Sequence, residues 1–185
     1  LHLRHHNLET INNTTSTAKH DLLAEVCMAA KYEGASIKAH YPPYQHKYVN
    51  SGSTICTVLA RSFADIGDII RGKDLYRRDN KKVKTDKLQE QLKKYFQKIH
   101  DGLTNGVKER YKDDKDLFQL REDWWTENRE TVWKAITCEA NGTYFRQTCG
   151  TGKPTNDKCR CKDEEGKNET NEVPTYFDYV PQYLR

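Results

Sequence analysis

Helical spacing of apolar residues is the feature that most limits the fold of this chain. In four stretches the apolar side chains recur three, four or seven residues apart, which is the spacing of one helix face. We predict helices over residues 17–32, 53–71, about 85 to Gly102 or Gly106, and 121–138. All three tryptophans fall in the fourth stretch and are predicted to lie in the core. The chain is therefore predicted to be mainly α, a bundle of four amphipathic helices.

Glycine and proline interrupt these helices and predict long loops. Gly34 is predicted to close the first helix, and residues 34–52, with two prolines and three tyrosines, are predicted to form an ordered loop. Residues 107–120 are dense in charge, and residues 139–173 combine glycines with three of the six cysteines. No internal repeat and no useful run of period-two alternation is present. The long loops are therefore predicted to pack against a helical bundle and not against a sheet.

The cysteines indicate how such loops are held. Only 35% of the 185 residues are hydrophobic, and a thin core gains most from covalent links, so we predict disulfides and an oxidising compartment. Zinc is the alternative, but one residue between Cys159 and Cys161 is not the spacing of a zinc knuckle. The sequence does not choose among the possible pairings. The predicted disulfide cysteines are Cys27, Cys56, Cys138, Cys149, Cys159 and Cys161.

A glycine-rich stretch, GDIIRGKD at residues 67–74, comes within one residue of a phosphate-binding loop. Asp74 stands where the motif requires Ser or Thr. A phosphate loop follows a strand and opens a helix, whereas the residues before Gly67 have helical spacing. We therefore predict that Gly72 and Lys73 end the second helix and that no nucleotide binds.

Catalytic and metal-binding patterns are weak. His2, His5 and His6 with Glu9 form a cluster only at the very start of the chain, and Ser62 has no base placed by spacing. The sequence contains no run of eighteen apolar residues, so no membrane span is predicted. The chain is predicted not to be an enzyme, to hold no metal or cofactor, and not to insert into a membrane.

A basic segment is the strongest candidate site. Residues 71–98 hold eleven basic and four acidic residues, a net charge of +7, although the whole chain carries only +4. Such a segment attracts polyanions, and its spacing suits a flexible sulfated chain; a solvated helix face is the alternative. Nucleic acid is not predicted, because the rest of the chain is not basic and no recognition module is present. The candidate glycan-binding residues are Arg71, Lys73, Arg77, Arg78, Lys81, Lys82, Lys84, Lys87, Lys93 and Lys94.

The helix that follows sets the direction of one of these lysines. We predict a cationic loop from Arg77 to Lys84, continued along the next helix by Lys87, Lys93 and Lys94. Lys94 lies two residues from both Leu92 and Phe96, about 200° round the helix from each, so it is predicted to face away from the core.

Four blocks of the sequence resemble the Duffy-binding-like domains of the malaria parasite's variant erythrocyte membrane protein 1 family, in particular the N-terminal alpha class. They are LLAEVCMAAKYEG at residues 22–34, LARSFADIGDIIRGKDLY at 59–76, DWWTENRETVWKAITC at 123–138 and VPTYFDYVPQYLR at 173–185. The resemblance covers essentially the whole chain. One departure is Arg4, which stands where the family usually has a cysteine.

The resemblance implies a disulfide-stapled helical adhesion domain on the outer face of the infected erythrocyte, carried by a large single-pass membrane protein. It implies host red-cell receptors or sulfated glycans, and antibodies, as partners, with rosetting as a typical outcome. Residues 1–52 would hold the end of a first subdomain and the first helix, 53–172 the helical second subdomain, and 173–185 the entry to a third. The alternative function is a structural spacer that positions a neighbouring binding domain.

Overall fold

The computed structural model describes residues 18–47, 54–74, 82–150, 152–161 and 172–185. Five α-helices form its frame: α1 (Ala18–Lys47), α2 (Ile55–Arg71), α3 (Lys82–Asp101), α4 (Asn105–Lys108) and α5 (Phe118–Ile136). Short 3-10 turns lie at Glu109–Tyr111, Phe177–Tyr179 and Gln182–Leu184. Within these described ranges there is no strand, only an isolated bridge between Gly142 and Lys158. The predicted fold class, a mainly α bundle with long stapled loops, is confirmed.

Helix α2 is the centre of the molecule. Fourteen of its 17 residues are buried, because α1, α5 and the 172–185 segment all pack around it. Phe63 contacts Trp125 and Trp133, with ring centroids 5.2 and 5.1 Å apart. A β-carbon added at Gly67 would lie 2.8 Å from the Trp125 ring, so only glycine allows α5 to approach this closely. The tryptophans therefore form the core, as predicted.

The ends of α2 explain why the GDIIRGKD stretch is not a phosphate loop. The Thr54 side chain accepts a hydrogen bond from the Thr57 N–H and caps the start of the helix. Gly72 has φ 74° and ends it in the left-handed conformation that glycine adopts without strain. The glycine and lysine therefore close a helix, as the sequence predicts.

Helix α1 is longer than predicted. The sequence places its end at Gly34 and a loop over 34–52, but the helix continues through Gly34 and both prolines to Lys47. Gly34 is buried where α1 crosses α5, and a β-carbon there would overlap the carbonyl oxygen of Ile136. This glycine permits a close helix contact, and the prediction that it stops the helix was wrong. Residues 48–52 lie outside the described ranges.

Helices α3 and α5 agree with the predicted spacing, with shifts at their starts. Helix α3 begins at Lys82, three residues early. Helix α5 begins at Phe118 rather than at 121, because the Asp114 carboxylate accepts hydrogen bonds from the N–H groups of residues 118 to 120 at 2.8 to 3.2 Å. An acidic side chain at this end also suits the helix dipole.

Two disulfides fasten the loop after α5, and two cysteines remain as thiols. Cys56 pairs with Cys159, which ties the loop to α2, and Cys149 pairs with Cys161. Cys27 is half-buried on α1 and Cys138 is exposed after α5. Cys27 and Cys138 were also predicted to form disulfides, and neither is paired with another cysteine of the chain.

The arrangement of α1 and α5 keeps the two thiols apart. The two helices run in the same direction, since Lys19 pairs with Glu127 and Lys38 with Glu139. Cys27 precedes Gly34 by seven residues, or about 10 Å along the axis, while Cys138 follows the Ile136 that Gly34 contacts. That separation exceeds the Cα distance of about 7 Å that a disulfide can span.

Candidate binding surface

The solvent side of α3 carries the cationic surface that the sequence predicts. Lys87, Lys93 and Lys94 are exposed, and Leu92 and Phe96 on the opposite side are fully buried. The prediction that Lys94 faces away from the core is confirmed.

Three lysines form one line along this helix. Lys87, Lys94 and Lys98 are spaced by seven and four residues, so they lie within about 40° of one another and span about 16 Å of the axis. No ion pair or hydrogen bond of their ammonium groups is present in the part of the chain that the structure describes. We call these three residues the α3 lysine stripe. Lys98 was not among the predicted site residues, although its helical spacing from Lys87 and Lys94 would have found it.

Two of the predicted site lysines are already paired. The Lys93 ammonium lies 3.0 Å from the Asp116 carboxylate, and Lys73 forms an ion pair with Glu122. Both lysines are more than half exposed, where ion pairs are weak and exchange readily with other anions. Because each already has a carboxylate partner, they contribute less free charge than the stripe.

Arg71 does not belong to this surface, contrary to the sequence prediction. Its side chain is 1% exposed, because it turns into the core from the last turn of α2. Its guanidinium donates hydrogen bonds to the Gly67 carbonyl at 3.0 Å, the Asp68 carboxylate at 3.1 Å and the Asp178 carbonyl. A ligand at the surface cannot contact it.

The other predicted residues are only partly described. Arg77, Arg78 and Lys81 lie outside the described ranges. Lys82 and Lys84 belong to the first turn of α3 rather than to a loop, which corrects that part of the prediction. The stripe is therefore the part of the candidate surface that the structure places.

A second group of basic residues is buried and holds 172–185 to the bundle. The Asp178 carboxylate is completely buried and accepts two hydrogen bonds from Arg129 at 2.8 Å and one from the Trp125 indole at 2.9 Å. Arg129 also donates to the Thr175 carbonyl at 2.8 Å. Such paired, hydrogen-bonded charges are costly to break, because the remaining partner would be left buried without compensation.

Arg121 of α5 completes the end of α2. Its guanidinium donates to the carbonyls of Ile69 and Ile70 and to the Gln89 side chain at 2.8 Å, so it satisfies groups that the helix end leaves unpaired. Burial lowers the pKa of Arg121 to about 10. A cation at a helix C-terminus is also favoured by the helix dipole.

Other chemistry has little support in the geometry. The Ser62 hydroxyl, which is 8% exposed, donates to the Glu33 carboxylate at 2.9 Å, and this pair stands between α1 and α2 inside the bundle. Among the described residues, no three His, Cys, Asp or Glu side chains come together as a metal site. None of the described helices has an apolar stretch long enough to span a bilayer.

Comparison with known proteins identifies the fold. The family model of the Duffy binding domain matches residues 1–185. The N-terminal NTS-DBL1-alpha and CIDR-gamma double domain of PfEMP1 from the Plasmodium falciparum varO strain is 41% identical, with a TM-score of 0.72 over 96% of this chain. The NTS-DBL1(alpha-1) domain from the same strain is 40% identical, with a TM-score of 0.67 over 98% of this chain. None of the curated proteins matches the chain.

The structure of a third relative was solved with a bound protein. The PfEMP1 IT4var13 DBLbeta domain, solved bound to ICAM-1, is 32% identical, with a TM-score of 0.58 over 96% of this chain. The chain spans 25%, 40% and 39% of the three solved chains, in the order given. Sequence, helix order and family model agree, and the chain therefore belongs to the Duffy binding domain family, with the alpha-class DBL domains of PfEMP1 among its relatives.

Proposed function

We propose that this chain is part of an extracellular adhesion module that binds sulfated glycans on host red cells through the α3 lysine stripe. The observation that carries the proposal is the stripe itself, in which Lys87 and Lys94 are exposed and Lys98 is partly exposed, with no ion pair to any of the three among the described residues. The family supplies the adhesive role, and a basic line about 16 Å long suits successive sulfates of one polysaccharide chain.

The stripe does not act alone in this proposal. Lys73 and Lys93 would exchange their carboxylate partners for sulfates, while Arg77, Arg78, Lys81, Lys82 and Lys84 precede the stripe in the sequence and would extend it. Each contact is exposed and weak, so binding depends on their sum and on ionic strength.

The setting follows from the same proposal. The chain would hold the end of one subdomain (1–52), a helical subdomain (53–172) and the entry to a third (173–185). It would be displayed on the outer face of the infected erythrocyte, where rosetting and antibody recognition take place. A protein receptor is a second candidate, favoured by the DBLbeta relative solved with ICAM-1.

Heparin-affinity chromatography tests the proposal. Lys87, Lys94 and Lys98 are changed together to Gln, and the salt concentration at elution is compared with that of the unchanged chain. The matched control changes Lys31, Lys153 and Lys158 to Gln, which removes the same charge from exposed positions outside α3. We expect earlier elution for the stripe variant alone. Equal losses in both variants would show a net-charge effect, and no loss in either would place the site elsewhere.

Binding to red cells separates adhesion from the spacer alternative. The isolated chain and a longer polypeptide that includes it are compared in the same assay, each with and without the stripe substitutions. If the longer polypeptide binds and the substitutions do not change its binding, the chain serves as a spacer.

A further inference from the structure

Two asparagines of the sequence are followed directly by glycine, Asn105 by Gly106 and Asn141 by Gly142. Such a pair can lose the side-chain amide without an enzyme, because glycine has no β-carbon to hinder the approach of its nitrogen to the asparagine side chain. Both asparagines are exposed, so access to solvent does not distinguish them. The structure distinguishes them by the way it holds the glycine that follows.

Gly142 is fixed within the disulfide-stapled loop after α5. Its N–H donates to the Asp157 carbonyl at 2.6 Å, and its own carbonyl accepts from the N–H of Cys159, which a disulfide joins to α2. A β-carbon added at Gly142 would lie 2.9 Å from the Ile55 side chain, so the backbone is packed against the start of α2. The Gly142 nitrogen is therefore paired, and it cannot turn toward the asparagine before it unless this packing opens.

Gly106 lacks these restraints. It is the second residue of α4, a helix of a single turn, where an N–H has no acceptor within the helix. Among the described residues no group accepts a hydrogen bond from this N–H, and the Thr104 side chain does not cap it. No atom from outside its own turn lies within 4 Å of a β-carbon added at Gly106, and no residue of α4 is buried. Only the short turn itself holds this nitrogen in place.

The turn that contains Asn105 has little to keep it closed. The N–H groups of Val107 and Lys108 donate to the Thr104 carbonyl at 3.0 and 2.9 Å, and none of these three residues is buried. Segments with few buried contacts open locally without unfolding of the whole chain. Ring closure at Asn105 therefore requires only the loss of a few hydrogen bonds at the surface.

We propose that Asn105 is a site of spontaneous deamidation in the folded chain and that the fold protects Asn141 from the same reaction. The Gly106 nitrogen gives its proton to hydroxide and forms a bond with Cγ of Asn105. The bond from Cγ to the side-chain nitrogen breaks, and that nitrogen leaves as ammonia after it takes a proton from water. The cyclic succinimide then adds one water molecule at either carbonyl. The products are aspartate and isoaspartate, and no oxidant, reductant or cofactor takes part.

The reaction changes both the charge and the backbone at this surface. Each product carries a new carboxylate, so the formal net charge of the chain falls by one from +4. In isoaspartate the main chain also runs through the former side chain and gains a carbon atom, which shifts Val107 and Lys108 relative to the Thr104 carbonyl that accepts their hydrogen bonds. The isoaspartate form should consequently lose this turn, whereas the aspartate form keeps it. The inference does not depend on glycan binding by the stripe.

Peptide mapping by mass spectrometry tests the inference on the full folded chain after incubation in mildly alkaline buffer. Both asparagines are followed in the same sample, and isoaspartate is detected by enzymatic methylation. We expect deamidation at Asn105 to be at least about tenfold faster than at Asn141, because Asn141 must first lose backbone hydrogen bonds of a packed loop. The control is the same measurement in urea with the disulfides reduced, where the two rates should be similar.

Gly106→Ala identifies the attacking nitrogen. The added methyl group meets no atom of the surrounding structure, so the fold should be kept, and thermal unfolding checks that it is. The methyl group hinders the nitrogen, and deamidation at Asn105 should slow to a rate near that of Asn141.

Three results would overturn the inference. The first is equal rates at Asn105 and Asn141 in the folded chain. The second is a difference in rate that persists in urea, since the neighbouring residues and not the fold would then cause it. The third is unchanged deamidation in Gly106→Ala, which would mean that the Gly106 nitrogen does not form the ring.

Discussion

The buried arginines around α2 and the exposed lysines along α3 are basic residues with opposite tasks. Arg71, Arg121 and Arg129 are buried and bind carboxylates and carbonyls of the protein itself. The lysines of the stripe are at the surface and bind nothing in the described chain. Arg71 and Lys73 are two residues apart, yet one holds the core together and the other faces solvent. Net charge along a sequence therefore overstates the charge that a ligand can contact.

The chemistry of the two side chains explains this division. A guanidinium is planar, offers five donors and is weakly hydrated, so several protein acceptors can replace its water. An ammonium is compact and strongly hydrated, and it is rarely buried. The arginine of a basic segment next to a helix end is accordingly the first residue to suspect of a structural role.

Removal of the Asp178 carboxylate should produce the largest effect. In Asp178→Ala, Arg129 and the Trp125 indole lose their partner in a buried site, and breaking a buried ion pair costs about 3–5 kcal/mol. Urea unfolding measures the free energy of unfolding, and Asp113→Ala, at an exposed carboxylate, is the control. A loss below about 1 kcal/mol would show that exposed and buried charges here do not differ as proposed.

A glycine pair tests how tightly the buried region is packed. Gly34→Ala forces a methyl group against the Ile136 carbonyl and should cost about 1–3 kcal/mol, because α1 and α5 must separate. Gly106→Ala in α4 meets no atom within 4 Å and should be neutral or stabilise by up to about 1 kcal/mol. Thermal and urea unfolding of both variants give the comparison. Equal changes would mean that the α1 to α5 contact tolerates a side chain.

Alkaline pH should distinguish the two thiols. Burial raises the pKa of Cys27 from its ordinary value near 9 to about 11, so the folded chain keeps this proton where the unfolded chain has lost it. The resulting stability is complete below pH 9 and declines as the pH rises toward 11. Because the thiol is half-exposed, we expect Cys27→Ala to remove only about 1 kcal/mol of the decline between pH 8 and pH 10.5.

The exposed Cys138 supplies the control for that measurement. Cys138→Ala should leave the pH dependence of urea unfolding as it is in the unchanged chain. If both substitutions reduce the pH dependence of the free energy of unfolding equally, or if neither does, the burial of Cys27 does not cause that dependence.

The smallest effect on stability is expected at the stripe. Substitution of Lys87, Lys94 and Lys98 by Gln should change the free energy of unfolding by less than about 0.5 kcal/mol for each residue, as for other surface positions. Urea unfolding measures this change in free energy, and the variant with Gln at Lys31, Lys153 and Lys158 is the charge-matched control. A loss of several kcal/mol would show that these lysines hold the fold, and the heparin result could not then be assigned to binding.

Sequence periodicity found α2, α3 and α5 because each has a single apolar side that repeats at helical spacing. The same reasoning placed the tryptophans in the core and turned Lys94 outward. It failed for α1, where Gly34 has the residue type of a helix end but serves a contact with Ile136, a residue about a hundred positions away. A local signal cannot distinguish these two uses of glycine, since they share the absence of a side chain.

The sequence by itself determined the mainly helical fold, the end of α2 at Gly72, the family and the position of the basic segment, because these depend on neighbouring residues. Only the tertiary structure decided which cysteines pair, which two remain thiols, that Arg71 is buried beside Asp178, and that Lys98 completes a stripe free of ion pairs. The physical reason is distance along the chain: Cys56 meets Cys159 across 103 positions, and Arg71 meets Asp178 across 107. Contacts of that range are fixed by how the helices pack, and no local spacing encodes them.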